Sequence, residues 1–378
     1  MLVVYAHVLS RVLVATLDDV FRRPHVRARP RYVALKWPTE YANPGSSFPG
    51  EQLLQGIREV GIHAGVDEIP QPAEGIVLIR VGIGSENELV AFDHTDRQDI
   101  DEVLAGRVLV YFKQQFAPEG YEQPNVVPAG YTPANGVVYR YLPLLRAVRS
   151  SRRFRYDVYG RFGLRYGGQE LRRNAFAQLS ARTDFSFEGS LFRYPGGPEK
   201  VPYRKYLFEI PRAKVCVDMP GNGDLTTRLV DYLAVGACVV KRPPRARLPV
   251  HLVDGVHVVY CASNLSDLGD VCVQLVGDDE SRETIARNAR DFFDRHLHRR
   301  QLAERFVDEI TDARGKRPQP VQRVQPVFQP SVRYRVALSP VVLLILAAFL
   351  TAVALPEALG DRPYDPRPSR ILHEHIPR

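Results

Sequence analysis

The sequence predicts an α/β protein of two strand–helix units, plus a C-terminal transmembrane helix. Three observations carry this. Short β-branched runs alternate with helically spaced apolar residues from 32 to 312, the pattern of a parallel sheet covered by helices. A basic stretch, residues 146–155 (RAVRSSRRFR), divides that alternation into two. Residues 336–355 (VALSPVVLLILAAFLTAVAL) carry no charge, and at a helical rise this length spans about 30 Å, a bilayer core.

Taken in order, residues 1–31 form an N-terminal lead and connector. The lead is apolar but broken by His7, Arg11 and the pair Asp18-Asp19, so it suits a packed or amphipathic helix better than a cleaved signal. The first unit, 32–149, opens with a strand at 32–36 (YVALK), then a Pro/Gly/Ser-rich loop at 37–50 and a helix at 52–60. Apolar runs at 76–81, 89–92 and 108–112 supply further strands, all expected in a parallel sheet.

The second unit, 150–312, starts with a strand at 156–159 leading into Gly160-Arg161-Phe162-Gly163. A helix at 170–181, a strand at 184–187 and a helix at 203–210 follow. Residues 215–217 are a strand, and Gly221-Asn222-Gly223-Asp224 cannot continue it. Residues 226–235 space Leu229, Val230, Leu233 and Ala234 as a helix that Gly236 stops, and 237–240 is the next strand. A strand at 256–261, a helix capped by Asn264 or Ser266, and helices at 279–296 and 299–312 complete the unit. Residues 313–335, with four prolines, are a linker, and 356–378 a disordered tail.

The net charge is +8, which favours acidic partners: a nucleotide phosphate, an anionic membrane or nucleic acid. The four cysteines, Cys216, Cys238, Cys261 and Cys272, form no CxxC pair and lie in apolar runs. They are expected as small core hydrophobes in a reducing compartment. His373 and His375 in the tail offer at most a weak metal site, and no metal is expected. The chain lacks GxxxxGK[ST], and no GxGxxG follows a strand, which speaks against ATPase and dinucleotide chemistry. In an open α/β sheet, ligands bind beyond the carboxyl ends of strands, near helix N-termini. Asp224, Thr226, Thr227, Arg228 and Asp231 lie there.

Two Rossmann-like units with the ligand elements in the second resemble the GT-B glycosyltransferase layout. Residues 203–240 resemble the donor segment of exostosin-type transferases: Tyr203 and Leu207 on a helix, Met219-Pro220-Gly221, Thr226-Thr227-Arg228-Leu229, and a strand after Gly236. The adjacency of Pro220 and Gly221 departs from that family's Pro-x-Gly. The chain also resembles the capsule-associated-protein family of protein O-glucosyltransferases and capsule xylosyltransferases. Arg228 and Gly236 stand at that family's spacing, and His257-Val258-Val259-Tyr260, Leu265-Ser266-Asp267-Leu268 and 285–293 (IARNARDFF) look like its C-terminal portion. The resemblance covers 155–312, and 75–145 more loosely.

The resemblance implies a hexosyl- or pentosyltransferase. It would move sugar from a nucleotide-sugar cosubstrate to a glycan, lipid or protein hydroxyl, with no further cofactor and no nucleic acid. Gly221, Gly223, Asp224, Thr226 and Thr227 would offer backbone and a helix N-terminus to the donor. Arg228 would meet its diphosphate, the alternative being an ion pair with Asp224 or Asp231. Asp231 would take the ribose hydroxyls, the alternative being a solvated helix face or an Arg228 partner. Gly160 and Arg161 are further donor candidates; Lys113 and Lys205 are candidate phosphate or acceptor contacts. Residues 241–247 (KRPPRAR) would lie near the cleft or face solvent or lipid. For an inverting transfer the base is Asp93, then His94; Asp96 suits the N-cap of a helix at 97–104. The expected location is a membrane, by a single C-terminal anchor, with cytoplasmic catalytic domains. The competing class is a non-catalytic basic protein that binds nucleotide, anionic lipid or nucleic acid at a membrane.

Overall fold

The computed structural model describes residues 33–315 apart from 43–46, 73–74, 84–85, 134, 165–166 and 194–196. The lead, most of the linker, the transmembrane helix expected at 336–355 and the tail lie outside the described residues. Among the described residues no helix is long and apolar enough to cross a membrane.

The first sheet has six strands: β1 (Val33–Pro38), β2 (Ala64–Asp67), β3 (Ile76–Ile83), β4 (Glu86–Asp93), β5 (Val110–Lys113) and β6 (Val126–Pro128), in the order β2-β1-β3-β4-β5-β6. The alternation predicts a parallel sheet, but this one is mixed. β3 runs antiparallel to both β1 and β4, while β1–β2, β4–β5 and β5–β6 are parallel. Helices α1 (Ser47–Glu59) and α2 (Glu102–Ala105) accompany it, whereas α3 (Val137–Ser150) packs through Val138, Leu142 and Leu145 into the core of the second unit. The loop expected to reach Gly50 ends earlier, because α1 begins at Ser47. Asp101, not Asp96, caps α2, accepting the Leu104 N–H at 2.9 Å.

The basic stretch at 146–155 is not a connector throughout. Its first half is the end of α3, with Arg146 and Arg149 buried. Arg146 Nε donates to Ala234 O at 2.8 Å and Nη2 reaches Asp294 at 2.6 Å, while Arg149 donates to Ala213 O. A long-range partner takes each charge inside, so the arginines serve the fold rather than solvent.

The second sheet is all parallel. Its strands are β7 (Tyr156–Gly163), β8 (Phe187–Phe192), β9 (Ala213–Asp218), β10 (Cys238–Lys241) and β11 (Val259–Tyr260), in the order β11-β10-β9-β7-β8. The helices are α4 (Gln169–Ser180), α5 (Tyr203–Glu209), α6 (Thr227–Val235), α7 (Leu268–Gly277), α8 (Asp279–Phe292) and α9 (Arg299–Gly315). Three expectations shift. The strand expected at 184–187 begins at Phe187, the strand expected at 256–261 shrinks to two residues, and α7 starts after Asp267 rather than Asn264 or Ser266. α9 runs to Gly315, into the stretch expected as linker. All four cysteines are buried and unpaired.

The two units are stitched together. α9 ends the second unit in sequence but packs on the first: Ala303, Phe306, Val307 and Ile310 share a core with Leu35, Ile57, Val77 and Phe112. Phe306 stacks on Phe112 at 4.5 Å. Gln115 of the first unit pairs by its side-chain amide with both main-chain groups of Leu225, at 3.0 and 3.2 Å. Arg247 bridges to Phe116, its N–H donating to Phe116 O at 2.8 Å and its guanidinium 4.6 Å from the ring centre. The 241–247 stretch is therefore partly an inter-unit contact, with Arg245 left exposed.

Candidate donor site

In the order β11-β10-β9-β7-β8, β7 leads outward to β8 and β9 leads the other way. The crevice between β7 and β9 is a topological switch point, where open α/β sheets bind ligands. Both loops at its mouth are glycine-rich.

β9 is buried along almost its whole length, as its apolar run requires, and ends at Asp218, which is fully buried. Thr226 caps α6: its hydroxyl accepts the Leu229 N–H at 3.0 Å and donates to Asp218 Oδ1 at 2.7 Å. Gly236 ends α6 in the left-handed region at φ 80°, where a Cβ would be strained. Nine residues thus have both ends fixed locally, and their apolar face fills the second unit's core.

A half-open pocket of ≈ 140 Å³ lies beside the first two turns of α6, lined by Arg161, Phe192, Lys200, Val201, Tyr203, Tyr206, Thr227, Arg228 and Asp231. Asp231 is 1% exposed and accepts the Tyr203 hydroxyl at 2.8 Å. Burial pushes its carboxyl up to about 8, against the pull of that bond and of Arg228 and Lys200. Tyr203 and Tyr206 stack at 5.8 Å and give the pocket an aromatic wall. This acid is neither on a solvated face nor paired with Arg228.

Arg228 is held by the protein. Nε donates to Asp218 Oδ1 at 3.0 Å, Nη1 to Arg161 O at 2.6 Å and Nη2 to Met219 O at 2.7 Å. Its ion-pair partner is Asp218, not Asp224 or Asp231. Burial works against its charge, but Asp218 raises its pKa on balance. Gly160 and Arg161 lie inside β7 rather than in a loop after it. Arg161 donates to Glu209, Glu188, Ser190 Oγ and Tyr159 Oη, so two carboxylates already surround it.

Gly221, Gly223 and Asp224 do not line this pocket. Gly223 faces Gln115 of the first unit, while Gly221 faces Arg172 and Asp224 pairs with Arg245, both within the second unit. A Cβ on Gly223 would fall 2.2 Å from Gln115 Nε2, and one on Gly221 2.7 Å from Arg172 Nη2. Asp224 accepts the Arg245 main-chain N–H at 2.8 Å and its Nε at 3.1 Å.

Across the joint, Asp93 ends β4 and is 1% exposed. Oδ1 accepts from Thr95 N (2.8 Å) and Thr95 Oγ1 (2.6 Å); Oδ2 accepts from Tyr111 Oη (2.7 Å) and Lys113 Nζ (2.9 Å). Both oxygens are occupied, and Lys113 is an internal counter-ion. His94 is half-buried, and its Nε2 has no hydrogen-bond partner among the described residues. Burial pulls its pKa below the ordinary value. Lys205 is exposed on α5.

Residues 142–308 match the family model described as glycosyl transferase-like. The match takes in most of α3, the second unit and the first part of α9, less than half of the chain. Similar solved structures are of HepE from Anabaena and of LpcC from Francisella tularensis. HepE in complex with UDP-glucose is 14% identical at a TM-score of 0.31, over 50% of this chain and 58% of that one. HepE in complex with UDP is 13% identical at 0.35, over 56% and 66%. The C-terminal domain of LpcC, a glycosyl transferase group 1 family protein, is 17% identical at 0.25, over 43% and 93%. The chain thus spans under two thirds of the first HepE structure. No curated protein matches.

The glycosyl transferase-like segment contains pocket residues that spacing alone does not single out. Phe192, Lys200 and Val201 lie outside any periodic pattern, and nothing in the sequence gives Tyr206 a role. Asp218 and Arg172 escape sequence reasoning too. Asp218 is legible as a carboxylate ending an apolar strand; Arg172, one residue in Gln-Glu-Leu-Arg-Arg, reads as helix surface.

Proposed function

We propose that the protein is a nucleotide-sugar-dependent glycosyltransferase whose donor occupies the pocket beside α6. The observation that carries this is Asp231: a buried carboxyl at an aromatic wall, beside Arg228 and Lys200, within the glycosyl transferase-like segment. A carboxylate there accepts two vicinal ribose hydroxyls, and Tyr203 and Tyr206 offer ring faces to the nucleoside. The N-terminus of α6, with Thr226 and Thr227, and the N–H groups that Arg228 retains face the diphosphate, whose charge grows as it leaves. Arg161 supports that wall, its charge balanced by Glu209 and Glu188. Gly223 meets the first unit beside it, and Gly221 and Asp224 pack within the second.

In the transfer, the acceptor oxygen bonds to the anomeric carbon and the bond from that carbon to the diphosphate oxygen breaks. The acceptor's proton goes to a base from the first unit. We assign this role to His94, whose ring Nε2 is unpartnered among the described residues, because Asp93 has its oxygens engaged. The acceptor is a glycan, lipid or protein hydroxyl, in keeping with the exostosin-type and capsule-type likeness of the motifs. The chemistry needs no metal ion. Residues 336–355 anchor the protein in a membrane, which a requirement for detergent in extraction checks.

Titration calorimetry of the purified protein with UDP, GDP and their sugars, followed by transfer assays, tests the reading. Micromolar to millimolar binding of one nucleotide is expected, with turnover reduced about 10²-fold or more in His94→Asn and nucleotide binding retained. Failure to bind any nucleotide refutes it.

A further inference from the structure

We propose that Arg172 is a positioning residue that locks the end of β7 and the loop after β9 into one cradle for the donor's diphosphate. The inference rests on the donor reading above and adds a residue from a different helix, α4.

Arg172 is 8% exposed. Its hydrogen bonds run to main-chain carbonyls on both sides of the switch-point crevice. Nε donates to Pro220 O at 2.8 Å, Nη2 to Met219 O at 3.5 Å, and Nη1 to Gly163 O at the end of β7. One guanidinium thus joins the end of β7 to the loop after β9, its neighbour in the sheet.

The surrounding sequence is built for this contact. Gly168 begins α4 in the left-handed region at φ 72°, and a Cβ there would fall 2.8 Å from Pro220 O. A Cβ on Gly167 would fall 2.9 Å from Asn222 Oδ1, the atom that accepts the Gly167 N–H. A Cβ on Gly221 would meet Arg172 itself. Three glycines therefore let two main chains close on one cation.

The electrostatics say what the closed crevice suits. Carbonyl oxygens at a crevice mouth repel a phosphate, and Arg172 captures three of them. Arg172 and Arg228 lie close enough that each opposes the other's charge, with Asp218 and Asp96 the carboxylates that offset Arg172. Burial, then Arg228, brings the Arg172 pKa down to about 10, so it remains a cation at neutral pH. Two fixed cations beside the turn at Gly221-Asn222-Gly223 favour a dianionic group and hold the turn still before it arrives.

The test compares UDP with uridine, which lacks the phosphates, by calorimetry on the full chain. Arg172→Ala is expected to weaken UDP binding tenfold or more while uridine binding stays within twofold, and millimolar methylguanidinium should recover part of the UDP affinity. Gly221→Ala, which pushes a Cβ onto Arg172, should show the same selective loss. If Arg172→Ala does not fold, Arg172→Lys, which keeps the charge but cannot make all three bonds, is measured instead and should show it too. Unchanged UDP affinity in the folded variants, or equal loss of UDP and uridine, overturns the proposal. A wild-type protein that binds neither ligand overturns the donor reading itself.

Discussion

Replacing Asp231 with Asn should make the protein more stable and worse at binding its donor. Asp231 is buried and its carboxyl is pushed up to about 8, whereas in an unfolded chain it would titrate near 4. The folded value lies above the unfolded one, so folding favours the neutral form. The stability from this group is fully present below about pH 4, falls as pH rises, and is gone above about pH 8. A tenfold difference in proton affinity between the two states corresponds to about 1.4 kcal/mol, so the total penalty is on the order of 5 kcal/mol at pH 9 but only about 1–2 kcal/mol at pH 5. Asparagine has no such charge, and its Oδ1 still accepts the Tyr203 hydroxyl. Asp231→Asn should therefore melt higher than wild type by an amount that grows with pH, at roughly 2–4 °C per kcal/mol for a domain of this size. Differential scanning calorimetry at pH 5, 7 and 9 gives the answer. The same variant should lose about 1.5–3 kcal/mol of UDP affinity at pH 9, the worth of hydrogen bonds to a charged carboxylate. Wild-type binding at pH 7 should release a proton, visible as calorimetric enthalpies that depend on buffer ionisation heat. Parallel melting curves for the two proteins across pH would refute the reasoning, because they would mean that burial does not disfavour the charged carboxyl.

Two further perturbations address the first unit and its attachment. Lys113→Met leaves the Asp93 carboxylate buried without its counter-ion and should cost about 3–5 kcal/mol in urea unfolding, with Asp93→Asn in the same chain recovering part of it; no loss would mean that Tyr111 and Thr95 suffice. Phe306→Ala removes the ring stacked on Phe112 and should cost about 3–5 kcal/mol. Limited proteolysis should then cut near the start of α9, whereas unchanged protection there would show that α9 does not depend on this contact.

Local signals in the sequence are enough for α6. Thr226 and Gly236 fix its ends through backbone chemistry that needs no distant partner, and both act as caps. The cysteines are legible for the same reason, since a small apolar residue in an apolar run is buried whatever lies opposite. The antiparallel β3–β4 pair is harder. β3 is a mostly buried apolar run with little alternation, so periodicity says little about its direction. A cue is nevertheless present: only Gly84-Ser85 separates Ile83 from Glu86, too short for a parallel crossover. The helix α3 is hidden because Arg146 and Arg149 look solvated until Ala234, Asp294 and Ala213 are brought to them.

The donor segment reads as one motif in the sequence, yet the fold divides it by physical task. Residues whose polar groups point along α6, Thr227, Arg228 and Asp231, line the pocket. Residues chosen for small size, Gly221 and Gly223, face Arg172 and Gln115. Spacing along the chain cannot separate these, because a glycine that admits a ligand and one that admits a neighbouring side chain impose the same constraint on the backbone. What separates them is the distance to the atom that fills the space: 2.2 Å from the Gly223 Cβ position to Gln115 leaves no room for a phosphate oxygen. Gly223 therefore serves the contact between the units, and any effect of enlarging it on catalysis must pass through the angle at which the first unit meets the second.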